Sequence, residues 1–114
     1  MTVEAAFQLF RSRAEARGLS DFDERSDPAS FGSRYITARQ AGGALRLVWD
    51  GKEGALTLEI THGPPGGPTS WLGLFRARGR SGEGVPAQDG DVSFDDAVDH
   101  GLDLMQPDRG AGAA

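Results

Sequence analysis

The chain has 114 residues, of which 38% are hydrophobic and 17 are glycine, and it has no cysteine. This length fits one domain with a single small core, and the lack of cysteine excludes disulfide scaffolds, thiol catalysis and thiolate metal sites. Twelve Lys and Arg against 17 Asp and Glu give a net charge of −5, which argues against binding to nucleic acid or to anionic membrane surfaces.

The first predicted element is an amphipathic helix that is capped by Thr2 and ends at Gly18, the expected C′ residue. Its apolar residues recur at helical spacing: Val3, Ala6, Phe7, Phe10 and Ala14. Leu19 and Phe22 are expected to fold back over an open end of the core. The stretch Ser20 to Ser30 is otherwise polar and is predicted to be a solvated loop, because its acidic residues lack the spacing and the closing Glu of an EF-hand calcium loop.

Three antiparallel strands are predicted within Phe31 to Ile60, where apolar and polar residues alternate. Register follows from parity, since a slip of one residue would send a whole apolar set to the wrong face. Pairing Asp50 with Ala55 across the loop between them, or making a two-residue turn at Lys52 and Glu53, gives the same register. The predicted inward pairs are Trp49 with Leu56, Leu47 with Leu58, Leu45 with Ile60, Ile36 with Leu47, and Ala38 with Leu45.

A fourth strand, Ser70 to Ala77, is apolar on both faces, so the pattern alone leaves its orientation open. Leu72 and Leu74 share their parity with the arginines that follow, which we expect to meet solvent. We therefore predict that Trp71 and Phe75 point inward and that the two leucines lie on the other face. The basic loop after this strand lacks the GK[ST] ending of a phosphate-binding loop.

Ser93 is the expected N-cap of a second helix that Pro107 ends. Its apolar stripe consists of Phe94, Ala97, Val98, Gly101, Leu102 and Met105. The predicted fold is α+β: a four-stranded antiparallel meander with the N- and C-terminal helices packed on one face. Residues 1–108 are predicted to form this single domain, and residues 109–114 are predicted to form a disordered tail.

An antiparallel sheet can leave its second face in contact with water, and here we expect that face to bind a partner. It combines an apolar centre with a charged rim, as interfaces do; its residues are Tyr35, Thr37, Arg46, Val48, Thr57, Leu72 and Leu74. Alternatively, the loop Gly63 to Pro68 or the linker after Arg80 covers it. If the face is open, homodimerisation is its simplest use, because a self-complementary patch needs no second protein.

No pair of groups in the sequence suits shared acid–base or nucleophilic work. We therefore predict a non-catalytic protein-binding module that needs no cofactor and no metal. The alternative is a small hydrolase-like enzyme that uses His62 or His100 with a nearby Asp. The aspartates beside His100 lack a third ligand at metal-binding spacing, so we expect a solvated acidic helix face.

One segment, Phe31 to Ile60, resembles a known group of proteins. A strand that begins Phe-Gly, followed by LRLVWDGKEG and a third strand, is similar to small bacterial proteins that include immunity proteins and uncharacterised proteins encoded near toxin or secretion loci. The resemblance implies an immunity-type or accessory protein that acts by protein–protein contact. Since no apolar run approaches the length of about 20 residues that spans a bilayer, and no secretory signal pattern is present, we expect a soluble, cytoplasmic protein.

Overall fold

The computed structural model describes residues 2–27, 29, 32–40, 42–62, 70–78 and 93–105. These form α1 (Val3–Ala16), β1 (Asp21–Asp27), β2 (Ser33–Gln40), β3 (Gly43–Asp50), β4 (Ala55–His62), β5 (Leu72–Arg78) and α2 (Phe94–Met105). The strands make one sheet in chain order, and each neighbouring pair is antiparallel. The α+β class and the antiparallel meander are confirmed, but the sheet has five strands and the predicted four are wrong by one.

The additional strand is β1, which lies in the stretch that was expected to be a solvated loop. Only Phe22 in this strand packs against the core. The sequence of β1 therefore lacks the alternation of apolar and polar residues that marks the central strands. Charge pairs match β1 to β2: Asp23 lies 3.3 Å from Arg39, and Glu24 lies 2.9 Å from Arg34. Such cross-strand pairs contribute about 0.2–1 kcal/mol each, and an edge rich in charge also resists unwanted pairing.

The predicted register of the central strands is confirmed at every pair, from Trp49 opposite Leu56 to Ala38 opposite Leu45. The chain takes the longer of the two turns considered between β3 and β4, because Asp50 pairs with Ala55 across residues 51–54. Asp50 Oδ1 accepts the N–H groups of the next two non-glycine residues at 3.0 and 3.1 Å. Gly54 closes the turn at φ +64°, a conformation that glycine adopts without strain.

Both helices begin directly after the predicted N-cap residues, and α1 also has the predicted C-terminal glycine. The hydroxyls of Thr2 and Ser93 each accept the N–H three positions further on, at 3.0 and 3.2 Å. α1 is followed by Gly18 at φ +88°, and the N–H of Leu19 donates to the carbonyl of Ala14 at 3.1 Å. This is the Schellman arrangement, which satisfies carbonyls that the helix end leaves unpaired.

The core lies between one face of the sheet and the two helices, as predicted. A single cluster contains buried side chains from both helices together with inward-facing residues of β2 to β5. The whole predicted stripe of α2 is buried. Gly101 brings this helix close to the sheet, because a Cβ atom on it would stand 2.7 Å from Leu45 Cδ1.

Ion pairs attach α1 on both of its flanks. Glu4 lies 2.6 Å from Arg34 of β2, and the hydrogen bond and charge of that guanidinium lower the pKa of the Glu4 carboxyl. Towards α2, Arg13 donates hydrogen bonds of 2.9 and 2.8 Å to the two carboxylate oxygens of Asp99. The aspartate row of α2 is therefore partly neutralised by α1, where the sequence had indicated a solvated acidic face.

Several predicted features fall outside the described residues. They are the loop Gly63 to Pro68, the linker after Arg80, the helix stop at Pro107, the domain end at residue 108 and the tail 109–114. Within the part of the chain that the structure describes, no helix combines the length and apolarity required to cross a membrane.

Candidate binding surface

The face of the sheet that points away from both helices, named here the outer face, carries five of the seven predicted surface residues. Tyr35 lies opposite Val48, which lies opposite Thr57, and Thr37 lies opposite Arg46. Their chain neighbours point into the core, so alternation directs these side chains outward. Thr37 is only 6% exposed, whereas the other four are half-buried.

A β-bulge in β5 overturns the predicted orientation of that strand. Phe75 lies opposite Leu58 and is buried, as predicted. The next pair, however, is Gly73 opposite Glu59, so Leu74 is an extra residue without a direct counterpart. An inserted residue reverses parity between the two halves of a strand, and the alternation pattern of a sequence has no means of revealing it.

The bulge moves Trp71, Leu72 and Leu74 away from their predicted sides. Leu74 packs against the core, with its Cδ1 3.1 Å from where a Cβ would stand on the glycine of α2. Leu72 lies opposite the inward-facing Ile60 and is 66% exposed. Trp71 lies on the outer face, where the guanidinium carbon of Arg46 is 3.9 Å from its ring centroid. The assignment of Leu72 and Leu74 to the outer face is therefore wrong, and so is the inward placement of Trp71.

Arg46, Glu59 and Trp71 form a compact cluster on the outer face. Nε and Nη2 of Arg46 donate to the same carboxylate oxygen, Oε1 of Glu59, at 3.1 and 2.9 Å. Consequently Oε2 of Glu59 and Nη1 of Arg46 have no hydrogen-bond partner among the described residues. The two side chains remain 29% and 23% exposed. A protein approaching this face therefore meets an aromatic ring and a charge pair with unused hydrogen-bonding capacity.

A second row of side chains crosses the sheet next to this cluster, one from each strand: Arg25, Tyr35, Val48, Thr57 and Arg76. Towards β1, a shallow groove of about 540 Å³ is lined by Tyr35 and Val48, with Arg25 and Asp50 among its other residues. The Tyr35 hydroxyl makes no hydrogen bond to any described residue. The row thus presents an apolar centre with an arginine at each end, which matches the anatomy of interfaces.

The two histidines lie on different elements, and neither belongs to the two rows just described. His62 ends β4 and His100 lies within α2, and both are exposed. In the described ranges neither imidazole forms a hydrogen bond or an ion pair with a carboxylate, and no group of three or more His, Cys, Asp or Glu residues is placed to hold a metal ion. Asp99, next to His100, is engaged by Arg13. Among the described residues, the geometry therefore brings together no acid–base pair for the hydrolase alternative.

Two members of the central cluster were absent from the predicted surface, for different reasons. Glu59 could have been found, because the register that places Leu47 opposite Leu58 also places Arg46 opposite Glu59. Trp71 could not, since its side depends on the bulge at Leu74. The signal for Glu59 was its charge, which is opposite to that of Arg46 on the facing strand; sheets favour such cross-strand pairs of opposite charge.

No protein-family model, no curated protein and no solved structure matches the chain. The features of the structure that bear on function are therefore those of the outer face. That face offers recognition groups, namely an aromatic ring, a charge pair and a phenol, and the described histidines stand outside it.

Proposed function

We propose that this protein is a small, non-catalytic protein-binding module that contacts its partner through the outer face. The observation that carries the proposal is the grouping of Tyr35, Arg46 and Trp71 on a sheet face opposite both helices. Trp, Tyr and Arg are the residue types most enriched among side chains that dominate binding energy. Their half-buried state supports the same function, since partly held side chains lose less entropy when a partner orders them.

The charge of the chain favours a protein as the partner. A net charge of −5 opposes the phosphate neutralisation on which binding to nucleic acid depends. The resemblance to immunity-type proteins that is predicted from Phe31 to Ile60 agrees with a protein partner, because such proteins act by protein–protein contact. An immunity-type or accessory role is one form that this binding function takes.

Affinity capture tests the proposal. Tagged wild-type protein is used as bait in a lysate of the source cells, beside Trp71→Ala on the outer face and His100→Ala on the exposed side of α2. Truncation of a residue that anchors an interface costs at least about 2 kcal/mol, so Trp71→Ala is expected to lose the captured protein. His100→Ala is expected to retain it.

The fold of each bait is checked by circular dichroism before capture. Equal capture by wild type and Trp71→Ala, together with loss in His100→Ala, would place binding on the helix side and contradict the proposal. A catalytic activity that disappears in His62→Ala or His100→Ala would instead support the hydrolase alternative.

A further inference from the structure

The charges in the middle of the outer face are arranged so that the face complements itself. Arg46 of β3 and Glu59 of β4 lie directly opposite each other across the two strands. Each retains a free hydrogen-bonding atom within the described structure, Nη1 of the arginine and Oε2 of the glutamate. A partner that presents a carboxylate above Arg46 and a guanidinium above Glu59 would satisfy both.

A second copy of the chain presents these groups in the required order. A two-fold axis that runs parallel to the strands, between β3 and β4, places β3 of one copy over β4 of the other and keeps each cross-strand row in line. Arg46 then faces Glu59 of the second copy, and Glu59 faces its Arg46. Packed sheets lie about 10 Å apart, a separation that two long side chains bridge together. At the angle of about 30° between packed sheets, the axis runs along the mean strand direction of the two copies, and residues at the centre of the face are displaced least.

The neighbouring row is complementary under the same rotation. Val48 faces Thr57 of the second copy, so the methyl groups of these two side chains meet at the centre of the interface. Tyr35 of β2 faces Arg76 of β5, because the axis exchanges these two strands as well. A guanidinium over a tyrosine ring is a favourable contact. Each of these contacts occurs twice, as a two-fold interface requires.

Two arginines on the helix side of the molecule are already paired within the chain. Arg13 of α1 is already engaged by both carboxylate oxygens of Asp99, and Arg34 is engaged by Glu4 and Glu24. Five strands spaced about 4.8 Å apart and about seven residues long give the outer face a projected area of roughly 500 Å². This is less than the about 800 Å² that each partner buries in a standard interface, so a weak, concentration-dependent dimer is the form of association that fits.

We propose that the outer face binds a second copy of this chain, with Arg46 and Glu59 exchanging charge contacts between the copies. The inference rests on the proposed function, because it names the partner of the same surface. In the proposed homodimer the two-fold axis runs along β3 and β4.

Sedimentation velocity over a wide range of protein concentration tests this arrangement with two charge reversals. Arg46→Glu places two carboxylates opposite two carboxylates, and Glu59→Arg places two guanidinium groups opposite two others. Each variant alone is expected to remain monomeric where the wild type dimerises, with at least a tenfold loss in association constant. An equimolar mixture is expected to dimerise again, because the two reversed faces attract each other.

Recovery of dimerisation in the mixture shows that the charge contacts between copies, and not the Arg46–Glu59 contact within one chain, determine association. Both variants lose the intrachain pair, and mixing them does not restore it. Arg11→Glu, a charge reversal on the far side of the molecule, serves as the matched control and should dimerise as the wild type does. Thr57→Arg introduces a charge opposite Val48 without altering the pair, and it supplies a second test if a reversal prevents folding.

Wild-type protein that stays monomeric at every concentration would overturn the proposal, as would dimeric single reversals or a mixture that fails to associate. A monomeric wild type that still loses a captured protein in the Trp71→Ala bait would overturn self-association alone. In that case the outer face keeps its binding function toward a different protein.

Discussion

The close approach of α2 to the sheet makes Gly101→Ala a sensitive probe of the core. The new Cβ would stand 2.7 Å from Leu45 Cδ1 and 3.1 Å from Leu74 Cδ1, distances at which atoms must move. Leu45 is fully buried, so its side chain has no open space into which to turn. Inserting a methyl group into such packing costs about 1–3 kcal/mol.

The same substitution also removes the entropic cost of a glycine within a helix, which is worth about 1 kcal/mol in the opposite direction. Because the steric term is the larger of the two, we expect Gly101→Ala to lower the free energy of unfolding by about 1 kcal/mol net. Urea unfolding, followed by circular dichroism, measures the change as a lower midpoint at an unchanged slope.

The Leu45→Val background supplies the control, because valine has no Cδ atoms. In that background Gly101→Ala should become neutral or stabilising, since both Leu45 contacts are gone and only the longer contact with Leu74 Cδ1, at 3.1 Å, opposes the gain in helix propensity. If Gly101→Ala instead raises the free energy of unfolding by about 1 kcal/mol in both backgrounds, α2 does not contact Leu45 as closely as described. The packing of the helix on the sheet would then be wrong.

Three further predictions concern stability. Leu58→Ala should lower the free energy of unfolding by about 2–5 kcal/mol because its side chain is fully buried, and a denaturation midpoint that barely moves would contradict that burial. Gly43→Ala should destabilise the protein because its Cβ would lie 2.7 Å from the carbonyl oxygen of Thr61, whereas Gly73→Ala, which meets no atom within 4 Å, should not; equal melting temperatures for the two variants would refute the distinction. The lowered pKa of Glu4 means that its ion pair stabilises the fold above the unfolded pKa of about 4.3 and that this contribution is lost as the pH falls through the lower folded value. Unfolding midpoints of wild type and Glu4→Gln should therefore differ at pH 7 and converge in acid, and a difference that persists below both pKa values would exclude this ion pair as its source.

The parts of the fold that the sequence predicts are those that alternation and capping specify locally. Buried strands such as β3 must direct every second residue into one core, so parity fixes both their existence and their register. Thr2 and Ser93 indicate where the helices begin, because their hydroxyls accept hydrogen bonds from first-turn N–H groups that have no partner within the helix. Each of these features depends on residues close together in the chain.

The parts that escaped prediction depend on contacts between distant segments. β1 has a single residue, Phe22, that packs on the core, and it is matched to β2 through charge pairs that become visible only once the two strands are adjacent. The bulge at Leu74 becomes visible only when β5 is paired with β4, where Leu74 also approaches Gly101 of α2. It moved two leucines off the outer face and brought Trp71 onto it, so the predicted placement of side chains on this face was right at β2 to β4 and wrong at β5.

Site-specific photocrosslinking tests the central claim, that the outer face is the binding surface, most directly. A photoreactive amino acid replaces Thr61, which is half-buried and directly follows the inward-facing Ile60 on β4, or Gln8, which is exposed on α1. Irradiation in the source cells should give a covalent adduct from position 61, with a second copy or with another protein, and none from position 8. Adducts from position 8 alone, or equal yields from both positions, would contradict binding through the outer face.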